Sequence, residues 1–459
     1  MNKLIFFILQ VRLIMLISIG HCILFSSGWV YQADLLNAET VNNQNIKELS
    51  GNVKISKDQT ILETQRAILY SDNDQLELFG DILMISDGDT LKCDTLFYYP
   101  QSNNIDHFIA AGNVILFNND QNIYSDSLYY WSEIDSIYAS GDVILSDNST
   151  NLNAKSINYW KTDGFYGYSF TANDSVLIKT SNSEIKGMEI IYTDSIQQMS
   201  ILNNASVIRN NQKLTGDRMI IQFQDSTINK INIHENPIAY NNIQAKTHKD
   251  STISSYRDIM YGELMELYYK DNKLESMKIS GMANSLYHII EDTILDGYND
   301  VSGDTIKLSF INDALTRMHV NGGARGTFYP EPSSSSLDTS IYYTANEIDY
   351  IINESQNYFY DNASIYYQDI ELLANHIQVD WNSNKLISHT FDGVRPQVKT
   401  GSNNNPMVGD TLFYNLISER GIIQKGKTEL NNAYYHGEEI LNDADENIYT
   451  YNGIYTSCD

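Results

Sequence analysis

Cysteine is scarce in this chain. Cys22, Cys93 and Cys458 are the only three in 459 residues, too few for a disulfide framework. Cys93 falls at an alternating strand position and reads as a buried thiol. Proline is also sparse, at six. Long apolar runs are missing beyond the first 30 residues, so no later segment has the length of a membrane-spanning helix. Positive charge is outnumbered: 30 Lys and Arg against 58 Asp and Glu give a net charge of −28. A chain so acidic is repelled by phosphate backbones, which excludes nucleic acid as a partner. Sustained helical spacing is lacking throughout.

Catalytic phrases are lacking too. The sequence has no G-x-S-x-G elbow, no H-E-x-x-H and no C-x-x-C. Its nine histidines are scattered, with no two at metal-ligand spacing. Asp72 with Asp74, and Asp87-Gly88-Asp89, bring acids together, but turns rich in Asp and Asn make such pairs freely. The reading is a protein that is not an enzyme and needs no cofactor and no metal.

The first 28 residues read as a signal peptide. Lys3 and Arg12 give positive charge, Leu13 to Ile19 is apolar, and Ser26-Ser27-Gly28 offers small residues for cleavage. His21 interrupts the apolar stretch, which is short for a span. It also stands where lipoprotein processing at Cys22 needs a small residue.

What is abundant is tyrosine, at 33, together with Asn and Asp. A glycine-then-Tyr phrase recurs. Gly51-Asn52-Val53 precedes Tyr70, Gly80-Asp81-Ile82 precedes Tyr98, Gly112-Asn113-Val114 precedes Tyr130, and Gly141-Asp142-Val143 precedes Tyr159. The glycines lie 29, 32 and 29 residues apart. A period of about 30 residues means one small unit stacked on copies of itself. Within it, short alternating runs separated by Asn/Asp/Gly turns predict antiparallel strands. A second signature repeats as Asp94-Thr95-Leu96-Phe97-Tyr98, Asp126-Ser127-Leu128-Tyr129-Tyr130 and Lys155-Ser156-Ile157-Asn158-Tyr159. Past Gly141 the glycine gives way to polar residues, as at Asn173-Asp174-Ser175-Val176.

A strand pair with one apolar face needs copies stacked beside it to bury that face. The expected interior residues stand two and four after each glycine: Val53 and Ile55, Ile82 and Met84, Val114 and Leu116, Val143 and Leu145. None is ionisable. Periodicity alone leaves open whether they fill a dry core or line a trough for a ligand. The glycine is expected at a bend needing φ > 0 or close backbone approach. Tyr pairs such as Tyr98-Tyr99, Tyr129-Tyr130 and Tyr366-Tyr367 are expected to place one ring on each face of a strand.

These units resemble the OstA-like repeats of lipopolysaccharide-transport proteins, the LptA–LptD-like periplasmic family. Residues 36–330 resemble a long OstA-like array, and Pro330, Pro332 and the serine run from Ser333 mark a linker over 331–344. Residues 345–440 are similar to the periplasmic start of the LptD-like assembly proteins, through Ala363-Ser364-Ile365-Tyr366-Tyr367 and Leu373-Ala374-Asn375-His376-Ile377. The ending Tyr451 to Asp459, with Cys458, is similar to the stretch by which that family enters its barrel. The resemblance therefore makes 441–459 the start of a barrel whose strands are missing here. It implies an all-β fold of repetitive antiparallel strands stacked as an elongated β-jellyroll or β-taco. It also implies that the interior residues above shield lipid A acyl chains, and a periplasmic location at the outer membrane. The implied partners are lipopolysaccharide and other bridge and translocon proteins. They would join by edge-strand pairing, for which residues 46–55 are the expected edge. Two readings compete: an exported β-helix acting on or adhering to carbohydrate, and a structural repeat with no ligand.

Overall fold

The computed structural model describes residues 29–457 except 58, 87, 103–104, 119–120, 132–135, 163–166, 226, 248, 250–251, 272, 292, 313, 332–336, 338, 401–404, 431–432 and 444–446. The signal segment 1–28, Asp87, Ser333 to Ser336 and Cys458 thus lie outside the described residues. The described chain is nearly all strand, with only short 3-10 turns such as Asp194–Ile196 and Ile352–Glu354. No described helix is long and apolar enough to cross a membrane. The all-β expectation holds.

The chain forms two compact units. The first runs to Asn210 and adds Thr215–Ile231; the second holds Asn211–Leu214 and residues 232 onward. In the first, neighbours in sequence are neighbours in the sheet. The strand Gln44–Lys57 pairs with Thr60–Tyr70, which pairs with Gln75–Ser86, and so on by antiparallel hairpins as far as Gln198–Arg209. Asn42 and Asn43, both left-handed at φ 55° and 62°, make the kind of two-residue turn that matches strand twist.

Every one of these strands is broken near its middle. Ser50 faces Arg66, but the next paired residues are Val53 and Thr64, so two residues oppose one. The extra pair is Gly51 at φ 75° and Asn52 at φ 46°. Gly80-Asp81, Gly112-Asn113 and Gly141-Asp142 repeat that left-handed doublet. A bulge of this kind bends a strand and raises its twist. Repeated in register, it creases the sheet and divides every strand into two arms.

The crease explains the Asp that opens the second signature. A methyl group on Gly112 would run into the carboxylate of Asp94, and one on Gly141 into that of Asp126. The same acid holds the doublet: Asn113 donates from Nδ2 to Asp94 Oδ2 at 2.8 Å, and Asn52 donates to Asp34 Oδ2 at 2.8 Å. Glycine is therefore required twice over at the crease, for its positive φ and for the side chain lying across it.

Where glycine fades, the crease persists. Asp174-Ser175, Asn203-Asn204 and, in the second unit, Asp361-Asn362 all sit at φ between 52° and 64°. Asn and Asp are the residues that best tolerate this region after glycine. The second unit repeats the pattern at Gly281 and Gly322-Gly323, with Glu263 and Asp304 across the first glycine of each. Residues 331–340 join Ala314–Pro330 to Ile341–Ile351, which are themselves paired strands of that unit, so 341–344 of the expected linker are strand.

Candidate functional site

In the first unit the two arms each carry a continuous buried ladder. On the arm after the crease, cross-strand partners run Ile55, Leu62, Met84, Leu91, Leu116, Ile123, Leu145 and Leu152. All eight candidate residues lie on this arm: Val53, Ile55, Ile82, Met84, Val114, Leu116, Val143 and Leu145 are between 0% and 6% exposed. Val53 and Ile55 come from Gln44–Lys57, Ile82 and Met84 from Gln75–Ser86, Val114 and Leu116 from Ile105–Asn118, and Val143 and Leu145 from Ser136–Asp147. The fold thus gathers residues about 30 apart in sequence onto one wall.

The other wall was not among the sequence candidates. Its ladder runs Leu76, Tyr98, Phe108, Tyr130, Ile137, Tyr159, Phe170 and Tyr192. Tyr98, Tyr130, Tyr159 and Tyr192 are buried, and Phe108 lies 5.2 Å from Tyr130. In three of the four glycine-then-Tyr phrases, at Tyr98, Tyr130 and Tyr159, the tyrosine is therefore the inward residue of the facing wall, whereas in the first Leu69 is buried against Leu76 and Tyr70 is half-buried. The inward tyrosine's neighbour points outward, as Tyr99 does in stacking on His107 at 4.7 Å. Tyr129 and Tyr366 are the outward partners of buried Tyr130 and Tyr367.

Cys93 stands on the first wall opposite Ile82, 4% exposed. Burial, then the Asp94 carboxylate, pushes its thiol up to about 12. It is an inert packing group. Asp72 accepts hydrogen bonds from the Asn45 backbone and side chain at 2.9 and 3.1 Å. Among the described residues no group of three or more His, Cys, Asp or Glu is placed to hold a metal.

The edge expected at residues 46–55 is covered on both sides. Leu35–Val41 pairs with residues 44–50 and Val30–Gln32 with 54–56, while Thr60–Tyr70 takes the other side. Among the described residues no strand pairs with the outer side of Leu35–Val41. Its whole length is exposed, Leu35 at 64% and Leu36 at 52%. Spacing from the first glycine located the first creased strand and missed the short uncreased ones before it.

The second unit holds a cleft of about 330 Å3 between its arms. Ala239, Met260, Leu267, Met277, Ile289 and Phe310 are among its walls. One wall carries Asp258, whose Oδ1 accepts from the His288 backbone N–H at 2.9 Å and meets Nδ1 at 3.0 Å. Asn241 donates to the second oxygen at 3.2 Å. Among the described residues no Ser, Thr or Cys lines the cleft.

The OstA-like protein family matches residues 28–99 and 85–172, the stretch that contains the four glycine creases. The repeats of that stretch are similar to the OstA-like family. No curated protein matches the chain. A solved structure, LptH, the LptA-homologous periplasmic component of the lipopolysaccharide transport device of Pseudomonas aeruginosa, is similar over 25% of this chain and 85% of its own. It shares 15% identity at a TM-score of 0.22.

Proposed function

We propose that this OstA-like chain is a periplasmic component of lipopolysaccharide transport, associated with the outer membrane. In this reading its first unit shields the acyl chains of lipid A between the two walls. The observation that carries the reading is the pair of unbroken apolar ladders, free of ionisable groups at the eight candidate positions, inside the OstA-like region. Apolar burial gains roughly 25 cal/mol per Å2, and a wall continued from strand to strand offers it at every step of a path. The candidates are almost fully covered as they stand, so an acyl chain enters by parting the arms. The exposed edge Leu35–Val41 is the surface where a bridge or translocon protein would add a strand.

The test is site-specific photocrosslinking to lipopolysaccharide. A photoreactive residue at 114 or 143 is expected to capture it, while one at Ile144, which is 41% exposed on the outer face, is not. Equal capture at 144, or none at the interior positions, rejects the reading. The near-complete burial of the candidates favours one other reading, a ligand-free structural repeat. That reading predicts no capture at any interior position.

A further inference from the structure

The second unit contains a buried chain of hydrogen bonds that its interior would not need for packing alone. Tyr287, on Lys273–Glu291, is the cross-strand partner of Asn299 on Ile294–Ile311. Asn299 donates from Nδ2 to the Tyr287 hydroxyl at 3.0 Å. Tyr343, on Ile341–Ile351, donates to Asn299 Oδ1 at 2.6 Å. Tyr350, from the same strand, donates to the Tyr343 hydroxyl at 3.0 Å. The register of Ile341–Ile351 breaks between Thr344 and Glu347, so Tyr343 and Tyr350 belong to different arms. Their hydroxyls meet across the interior and bolt the arms together.

Gly326 makes room for this bolt. It is the cross-strand partner of Tyr343, and a methyl there would collide with the Tyr343 ring and hydroxyl. Asn299 and the three tyrosines are all at most 8% exposed. An apolar chain sliding between the arms here would leave an amide and hydroxyls buried without partners, which is strongly unfavourable.

Tyr287 is both the first member of the chain and a wall of the cleft, where Met277, Ile289 and Phe310 lie beside the polar Asn241, Asp258 and His288. We propose that the cleft is a pocket for a single alkyl or acyl chain of an amphiphile, and that the Tyr287–Asn299–Tyr343–Tyr350 chain is the stop that limits how long that chain can be. At about 330 Å3 the cleft is near the lower end of ligand pockets, which run from about 300 to 1,000 Å3. It therefore suits one tail and not a whole multi-chain lipid. The proposal rests on the lipid-facing reading of the interior, extended to the second unit.

The experiment is displacement of a fluorescent single-chain fatty acid from the full chain by alkyl glucosides of increasing length, below their micelle concentrations. Affinity is expected to rise roughly fourfold per added CH2, following the transfer free energy of a methylene, and then to stop rising. In Tyr350→Phe, which unbolts the arms and keeps the Tyr343–Asn299 bond, the plateau should move to longer tails. Met277→Trp, which fills the cleft, should abolish displacement. A rise with no plateau in the native chain, an unmoved plateau in folded Tyr350→Phe, or native binding by Met277→Trp overturns the proposal. Should Tyr350→Phe fail to fold, the native plateau and Met277→Trp still decide it. Lipopolysaccharide capture at position 114 should be untouched by Met277→Trp. Loss of capture at 114 in the native chain, with the length plateau intact, would reject the transport reading and leave the pocket standing.

Discussion

At the scale of the residue, the crease is the most exacting position. Gly112→Ala places a Cβ against Asp94 and forces an L-residue into the left-handed region, the latter alone worth about 1–2 kcal/mol. Chemical denaturation should show a loss of at least that size. Asp94→Ala, which removes only an exposed hydrogen bond to Asn113, should lose about 1 kcal/mol or less. Val114→Asp puts a carboxylate where exposure is 1%. Lipopolysaccharide capture at 143 should fall, with several kcal/mol of desolvation behind the effect. A variant that unfolded globally yet still captured lipid would contradict the interior reading. The inward residues were legible because alternation after a fixed glycine sets their parity. The Asp lying over each glycine was visible as a repeated letter, but its purpose needed the neighbouring strand.

At the scale of the element, glycine-less creases show why motif spacing fades before the structure does. Asp174-Ser175 and Asn203-Asn204 supply the same two left-handed residues, so the bend survives a change of letters. The tyrosine bolt was illegible: Tyr287, Asn299 and Tyr343 meet through sheet register, with Asn299 and Tyr343 standing 44 positions apart. It carries a pH signature. Burial pushes Tyr287 up to about 12 and raises Tyr343 and Tyr350 well above the ordinary phenol value. A raised folded-state pKa gives stability that is complete below the unfolded value near 10 and is lost as pH climbs toward the folded one. Unfolding followed by hydrogen exchange or denaturant should therefore weaken the second unit above about pH 10. Tyr287→Phe should flatten that alkaline slope, and an unchanged slope would mean that the tyrosine does not couple folding to pH.

At the scale of the whole molecule, two units and a stacked repeat predict local damage. Leu78→Ala and Ile306→Ala each empty a buried site, one in each unit. Each should lose about 2–5 kcal/mol, with amide protection falling in its own unit and neighbouring hairpins. Uniform loss across both units would contradict that. The charge of −28 adds a self-repulsion that salt relieves. Tm should rise between about 0.01 and 0.15 M salt, as the Debye length falls from about 30 to about 8 Å.

The two-against-one count at each crease also sets which side chains face inward beyond it. Deleting Asn52 would turn that arm over, swapping Val53 and Ile55 for Lys54 and Ser56. Deleting Asn113 would exchange Val114 and Leu116 for Ile115 and Phe117, an equally apolar pair. Both deletions share the strain of moving a valine into the left-handed slot, yet only the first drives an ammonium group into the interior. The array therefore has hairpins that can lose a residue at the fold line and hairpins that cannot, and length variation among such repeats should collect at the former.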